Sequence, residues 1–249
     1  MKFIYAALTA ALAGLASAQT LNIPTRSGNI ISLSEPSTIS GSKDYGNQEF
    51  DRGRECDTDA DTGSDSAVFI LKNGASISNV IIGKNQLEGI HCEGACTLTN
   101  VWFRDVCEVF EQPDAISALG TGNVLIQGGG AQEAKDKVVQ HNGRGTVTIK
   151  NFTVVNVGKL YRSCGDCTAN GGPRNVVVDG VRTNGVTSDL VGINSNFGDT
   201  ATISNSCGKS KKVCQEYKGV VKGDGKSEKV STTANCKGAQ GGLSALPSC

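Results

Sequence analysis

One short unit recurs along this sequence and limits what it can fold into: an apolar residue, a polar one, then Asn or Gly, usually followed by another apolar residue. It reads Ile77-Ser78-Asn79-Val80, Leu98-Thr99-Asn100-Val101, Ile126-Gln127-Gly128-Gly129, Ile149-Lys150-Asn151-Phe152, Val178-Asp179-Gly180-Val181 and Ile203-Ser204-Asn205-Ser206. Successive copies lie roughly 20–30 residues apart, about one turn of a β-helix. Asn or Gly in the third place suits a bend where left-handed backbone is tolerated, and stacked Asn side chains can hydrogen-bond along such a column.

A second unit lies between these copies and keeps the same period: Glu88-Gly89-Ile90, Asp114-Ala115-Ile116, Asp136-Lys137-Val138, Gly158-Lys159-Leu160 and Asp189-Leu190-Val191. Two interleaved strand families, each advancing one turn at a time, are what a parallel β-helix requires. A β-sandwich also uses short Gly-rich strands but does not predict the double register. With 5% aromatic residues, 32 glycines and almost no amphipathic helical pattern, the expectation is an all-β, single-domain, right-handed parallel β-helix with disulfide staples. Residues before Val68 and after Lys209 fit the repeat poorly and are assigned to an N-terminal cap with starting coils and a C-terminal cover.

The N-terminus has its own signature. Lys2 precedes an apolar run from Phe3 to Leu15 and then Ala16-Ser17-Ala18, the layout of a signal peptide; the run falls short of the ~20 apolar residues that span a bilayer. Residues 1–18 are therefore read as a leader and residues 19–249 as a secreted, extracellular domain without a membrane span, expected to act as a monomer. Ten cysteines in an exported chain read as disulfides. Cys92 with Cys96, Cys164 with Cys167 and Cys207 with Cys214 are the closely spaced sets; Cys56, Cys107, Cys236 and Cys249 are scattered, and the pairing stays open. The 24 acidic and 24 basic side chains balance, which argues against a nucleic-acid binder held by bulk charge. Any site for a charged ligand must be local.

Stacking turns the repeat into a site map, because coils about 4.8 Å apart make column-mates neighbours in space. Two residues before the apolar anchor stand Glu88, Asp114 and Asp136, three carboxylates expected on consecutive coils. They repel one another unless a cation sits among them, and oxygen-only ligands suit Ca²⁺; Glu108 is a further candidate oxygen donor. One position on, the column reads Lys137 then Lys159, with Arg162 three residues later. An acid cluster bordered by Lys and Arg is what binding and activating a polyuronate needs. Its C5 proton lies α to a carboxylate, and removing that proton creates charge that must be neutralised as it forms. Ca²⁺ and Arg162 suit that task, the latter by its planar guanidinium. Arginine is too basic to take the proton, so Lys137 is the preferred base, with Lys159 clamping substrate or sharing the role.

Several ordered motifs then carry a resemblance: Gly89-Ile90-His91-Cys92, Thr99-Asn100-Val101-Trp102, Asp105-Val106-Cys107-Glu108, Asp136 through Gly143, Gly158 through Gly165, and Gly192-Ile193-Asn194-Ser195-Asn196. Together, from about Ser66 to Tyr217, they resemble the family 3 pectate lyases, small secreted β-helix enzymes. The resemblance implies Ca²⁺-dependent eliminative cleavage of polygalacturonate, usually with an alkaline optimum. By motif, the family's calcium carboxylates correspond to Glu88, Glu108 and Asp114, its catalytic cations to Lys137, Lys159 and Arg162, and an acidic neighbour of the lysine to Asp136. Basic positions of some members are Leu119 and Glu133 here. The family pattern usually has Glu and Asp adjacent where this chain has five residues, Val109 to Pro113, between Glu108 and Asp114; Glu111 is an alternative ligand to Glu108.

Other marked residues carry less. His91 and His141, the only histidines, are read as structural or hydrogen-bonding, and Trp102 as packing. Asn151-Phe152-Thr153 is an N-glycosylation sequon. A polygalacturonase would share the scaffold but would need paired carboxylates working as acid and base without a metal. A β-helix that binds cell wall without turnover is the rival from another class.

Overall fold

In the computed structural model of the chain, residues 21–55, 63–107 and 114–249 are described. The leader, Cys56, and the segment from Glu108 through Pro113, which includes Glu111, lie outside them.

The chain winds as a parallel β-helix with almost no α-helix among the described residues, and both expected strand families are present. In the first, Ile77 pairs with Leu98, then Ile126, Ile149, Val178 and Ile203, coil by coil. All six side chains are buried, each contributing roughly 1.5–3 kcal/mol. The Asn/Gly column behaves as its chemistry dictates. Asn79, Asn100, Gly128, Asn151, Gly180 and Asn205 all take φ between 50° and 66°, so each turns the chain through the left-handed region at the same corner.

The second family pairs Phe69 with Ile90, Ile116, Val139, Tyr161, Val191 and Cys214. This corrects the expected register on two coils, where the partners are Val139 and Tyr161 rather than Val138 and Leu160. The physical reason is that two consecutive residues per coil point inward here, Ala115 with Ile116, Val138 with Val139, Leu160 with Tyr161 and Leu190 with Val191, and all are buried. Either member of an apolar pair reads as the anchor.

The ends are more regular than the sequence pattern indicates. Ser37–Ile39 and Ser42–Asp51 already pair as coils, and Tyr45, Phe50 and Phe69 fill that end with ring centroids 4.9–5.2 Å apart. Cys207–Lys218 is likewise a full coil on Arg182–Asn194, not part of a cover. The cover begins beyond it. Glu228–Lys229 lies antiparallel on that strand, while Cys236–Lys237 and the short helix Gly238–Gly241 close the last coil. Disulfides join Cys92 to Cys96, Cys164 to Cys167, Cys207 to Cys249 and Cys214 to Cys236, and Cys107 is also disulfide-bonded. The last two bridges tie the cover to the final coil by closing loops of 42 and 22 residues, where cross-linking restricts the unfolded chain most.

Candidate active site

The paired inward residues of the second family decide where the site lies. On each coil the side chains just before and just after the buried pair turn outward on the same side and flank a groove along the axis. The leading positions are Glu88, Asp114, Lys137, Lys159 and Asp189; the trailing ones, in paired register, are His91, Ser117, Gln140, Arg162 and Gly192. The groove has a volume of about 760 Å³ and takes in Glu88, Asp114, Asp136, Lys137, Lys159 and Arg162. The register therefore aligns Lys137, not Asp136, with Glu88 and Asp114. Asp136 sits one step earlier on the same coil, and its carboxylate lies between two ammonium groups.

That arrangement is tightly ion-paired. Asp136 accepts from Lys137 Nζ through Oδ2 and from Lys159 Nζ through Oδ1, both at 2.8 Å. Burial works to raise its pKa, but the two lysines outweigh burial and hold it below the ordinary carboxylate value. Lys137 Nζ also lies 3.3 Å from Asp114 Oδ1, so this lysine bridges two coils. Asp114 is only 7% exposed. Burial pushes its carboxyl up to about 7; Lys137 opposes the rise and the neighbouring Glu88 adds to it. Ser117 Oγ donates to Asp114 Oδ2 at 3.2 Å, whereas Oδ1 has no hydrogen-bond partner apart from the nearby ammonium.

Arg162 is held by neutral groups. It donates to the Ser163 carbonyl (2.7 Å), Asn194 Oδ1 (2.9 Å) and Ser227 Oγ (2.9 Å), and its guanidinium lies 3.9 Å from the centre of the Tyr217 ring. Burial lowers its pKa, with Tyr217, Asp189 and Asp199 acting against the shift. Gly192 makes this placement possible, because a Cβ there would lie 2.8 Å from Arg162 Cδ and 3.1 Å from the Tyr217 ring. Tyr217 is fixed in turn by donating to Asp189 Oδ1 at 2.9 Å.

The structure thus brings together Glu88, Asp114, Asp136, Lys137, Lys159 and Arg162. It adds groups that the sequence reading did not single out: Asp189, Asn194, Tyr217 and Ser227. Asp189 heads a copy of the second repeat unit and Asn194 stands in one of the family-like motifs, without either having been given a part in the site; the others come from distant chain. The histidines divide. His91 reaches the site, its Nε2 3.0 Å from Glu88 Oε2, while His141 is buried inside with Nδ1 2.8 Å from the Tyr161 hydroxyl. Burial first, then Arg174 and Arg144, lower the His141 pKa to about 3, which makes it a neutral structural imidazole. Leu119 lines the groove, Glu133 accepts from Asn156, and Trp102 is half-buried away from the groove.

Whether these residues suit a divalent cation can be judged from their chemistry. Among the described residues, no three His, Cys, Asp or Glu side chains form a metal cage, and Glu108 is not one of those residues. Yet Asp114 Oδ1 is a buried oxygen without a neutral donor, beside a second carboxylate whose charge it feels. Hard oxygens short of donors fit Ca²⁺.

Comparison with known proteins converges on one family. Residues 20–224 match the pectate lyase family. Pectate lyase H of Emericella nidulans is 50% identical over 227 residues, covering 89% of this chain and 84% of its own, and a probable pectate lyase E of Neosartorya fischeri is 47% identical over 209 residues, covering 83% and 79%. Among solved structures, the catalytic domain of pectate lyase PelI from Erwinia chrysanthemi superposes with a TM-score of 0.70 at 34% identity, covering 84% of this chain and 96% of that one. PelI in complex with tetragalacturonic acid superposes at 0.64 with 36% identity, covering 82% and 67%. With the groove, its stacked charges and the shared β-helix all in place, the chain is a polysaccharide lyase and belongs to the pectate lyases of family 3.

Proposed function

We propose that the protein is a secreted, Ca²⁺-dependent pectate lyase that cleaves α-1,4-linked polygalacturonate by β-elimination. The observation that carries this reading is the juxtaposition of an under-satisfied buried carboxylate, Asp114, with three cationic side chains along one groove. A polyuronate presents one carboxylate per sugar, and the three cations lie on two paired coils of that groove, Lys137 on one and Lys159 with Arg162 on the next.

Glu88 and Asp114, with Glu108, are the residues that would hold the calcium; Asp136, expected from sequence as a further ligand, accepts instead from Lys137 and Lys159 and would hold those lysines in place. When bound, calcium would supply positive charge and Lewis acidity to the substrate carboxylate, stabilising the negative charge that builds there as the C5 proton leaves. Lys159 and Arg162 bind and orient the uronate. Arg162 is suited to the charge that develops on the carboxylate, because its hydrogen bonds among the described residues go to neutral groups and its guanidinium lies over the Tyr217 ring. Lys137 Nζ, in its uncharged amine form, takes the C5 proton. The electron pair forms the C4–C5 double bond, the C4–O bond breaks, and the departing oxygen takes a proton from solvent. An amine base is favoured by alkaline pH, in keeping with the family resemblance.

The deciding experiment follows the ultraviolet absorbance of an unsaturated uronide from polygalacturonate at alkaline pH, with Ca²⁺ and with chelator. A chelator-sensitive rise is expected. New reducing ends without absorbance would identify a hydrolase, and neither signal would identify a binding protein.

A further inference from the structure

The Asn/Gly corner column on a separate part of the coil contains one break in an otherwise self-satisfying stack. Asn79 Nδ2 donates back to Asp44, at 3.0 and 3.1 Å to its two oxygens; Asn100 Nδ2 donates to Asn79 Oδ1 at 3.0 Å; and Asn205 Nδ2 donates to Asp179 Oδ1 at 2.7 Å. In each case the amide nitrogen points to the preceding coil. Asn151 has the same backbone conformation, φ 51°, and its oxygen faces forward, since a Cβ on Gly180 would come within 2.5 Å of Asn151 Oδ1. Its Nδ2 therefore faces back over Gly128, which has no side chain to accept from it. Among the described residues, no hydrogen bond engages that amide.

This amide belongs to the single Asn-X-Ser/Thr sequon of the sequence, Asn151-Phe152-Thr153. Phe152 is fully buried, which pins the segment, while Asn151 is exposed. A shallow cleft of about 490 Å³ opens beside it, lined by Thr153, Gly180, Arg182, Asn205 and Cys207, and shares no residue with the catalytic groove. We propose that Asn151 Nδ2 carries an N-linked glycan. The transfer forms a bond from Nδ2 to the anomeric carbon of an oligosaccharide activated as its lipid diphosphate. The bond from that carbon to the diphosphate oxygen breaks, the lipid diphosphate leaves, and an amide proton is released to a base. Gly128 leaves room along the column on the nitrogen's side, and Gly180 makes way for the Asn151 oxygen on the other. At Asn79, Asn100 and Asn205 the same nitrogen is occupied by the stack.

The modification rests on the exported reading but not on the catalytic one, and the test separates them. The full chain is secreted from yeast, once with its own first 18 residues and once behind a yeast leader, and its intact mass is measured before and after peptide-N-glycosidase. Wild type is expected to lose mass, with Asn151 converted to Asp in the mapped peptide. Thr153→Ala is expected to be secreted and to lose none, and Asn151→Gln gives the same result should the threonine change impair folding. Secreted wild type that loses no mass, or Thr153→Ala that still does, overturns the proposal. Failure of its own leader alone, with glycosylation behind the yeast leader, supports the site and removes the export reading.

Discussion

Asp199 and Asp114 are both buried carboxylates on the same β-helix, and they are treated in opposite ways. Asp199 has no exposure and accepts from Ser163 Oγ at 2.6 Å, from the Asn194 backbone N–H at 2.8 Å and from the Arg174 backbone N–H at 2.8 Å. Those donors are fixed by the fold. Asp114 has one hydroxyl at 3.2 Å, a bridging ammonium at 3.3 Å and a neighbouring Glu88 that raises its pKa. A charge surrounded by fixed donors locks the structure, whereas one left short of donors beside an ammonium that it shares with another carboxylate can exchange partners. The first belongs to the scaffold and the second to chemistry.

The largest effect expected from this division is on turnover. Lys137→Ala and Arg162→Ala should each lower the elimination rate by at least roughly 10²–10⁴, the range for losing a general base or a stabilising donor. Circular dichroism should show the fold intact. A near-normal rate in either variant removes the role assigned to that residue.

The comparison itself breaks or holds on stability. Asp199→Ala leaves three donors without their acceptor and should cost about 3 kcal/mol or more, at roughly 1–3 kcal/mol per buried unsatisfied group. Asp114→Asn should cost less than about 1 kcal/mol, because it relieves a buried charge. Denaturant unfolding of both variants decides it, and an equal loss would mean that Asp114 is structural after all.

A smaller effect is predicted with pH. The folded pKa of Asp114, about 7, lies above its ordinary value of 3.8, so the folded state binds this proton more tightly than the unfolded one. Its contribution favours folding below pH 4, declines as pH rises from about 4 to 7, and is lost above 7. Ca²⁺ held by this carboxylate, as proposed, would compete with that proton, so calcium should raise Tm more at pH 8 than at pH 5.5. Asp114→Asn should shrink the difference; a calcium shift that is equal at both pH values in wild type would place the ion elsewhere.

How much of this was legible in sequence follows from the same contrast. The corner column could be read residue by residue, because a left-handed bend restricts the choice to Asn or Gly on every coil and the period repeats it. The groove columns were harder. Val138-Val139 and Leu160-Tyr161 offer two apolar anchors each, and local pattern has no means of choosing between neighbours that are both buried. The one-residue error placed Asp136 where Lys137 belongs; Glu88, Asp114, Lys137, Lys159 and Arg162 were still identified, whereas Asp189 was given no part in the site. Tyr217 and Ser227 were not legible as parts of the site, since they reach Arg162 across 55 and 65 residues of chain through the folding of the last coil and its cover. His91 looked like a strand residue because it is one; its meeting with Glu88 on the same strand depends on the buried Gly89 and Ile90 between them, which leave both flanking side chains on the groove.

The smallest expected effect concerns the five residues Val109 to Pro113. The ladder on both sides of them is in register: Leu98 pairs with Ile126, Phe103 with Ala131 and Ile90 with Ile116, and the Val106 N–H donates to the Gln132 carbonyl. The coils therefore do not depend on the extra length, and removing it would make Glu108 and Asp114 adjacent, as in the family pattern. The deletion variant should fold with little change in Tm. Its rate should be unchanged or higher, because a ligand displaced by about 1 Å can cost up to about a hundredfold and restoring it returns that factor. Elimination assayed across a calcium titration separates the cases. A lower calcium requirement at equal or higher rate would mean that the segment spreads the carboxylates apart, and complete loss of activity would mean that it belongs to the native site.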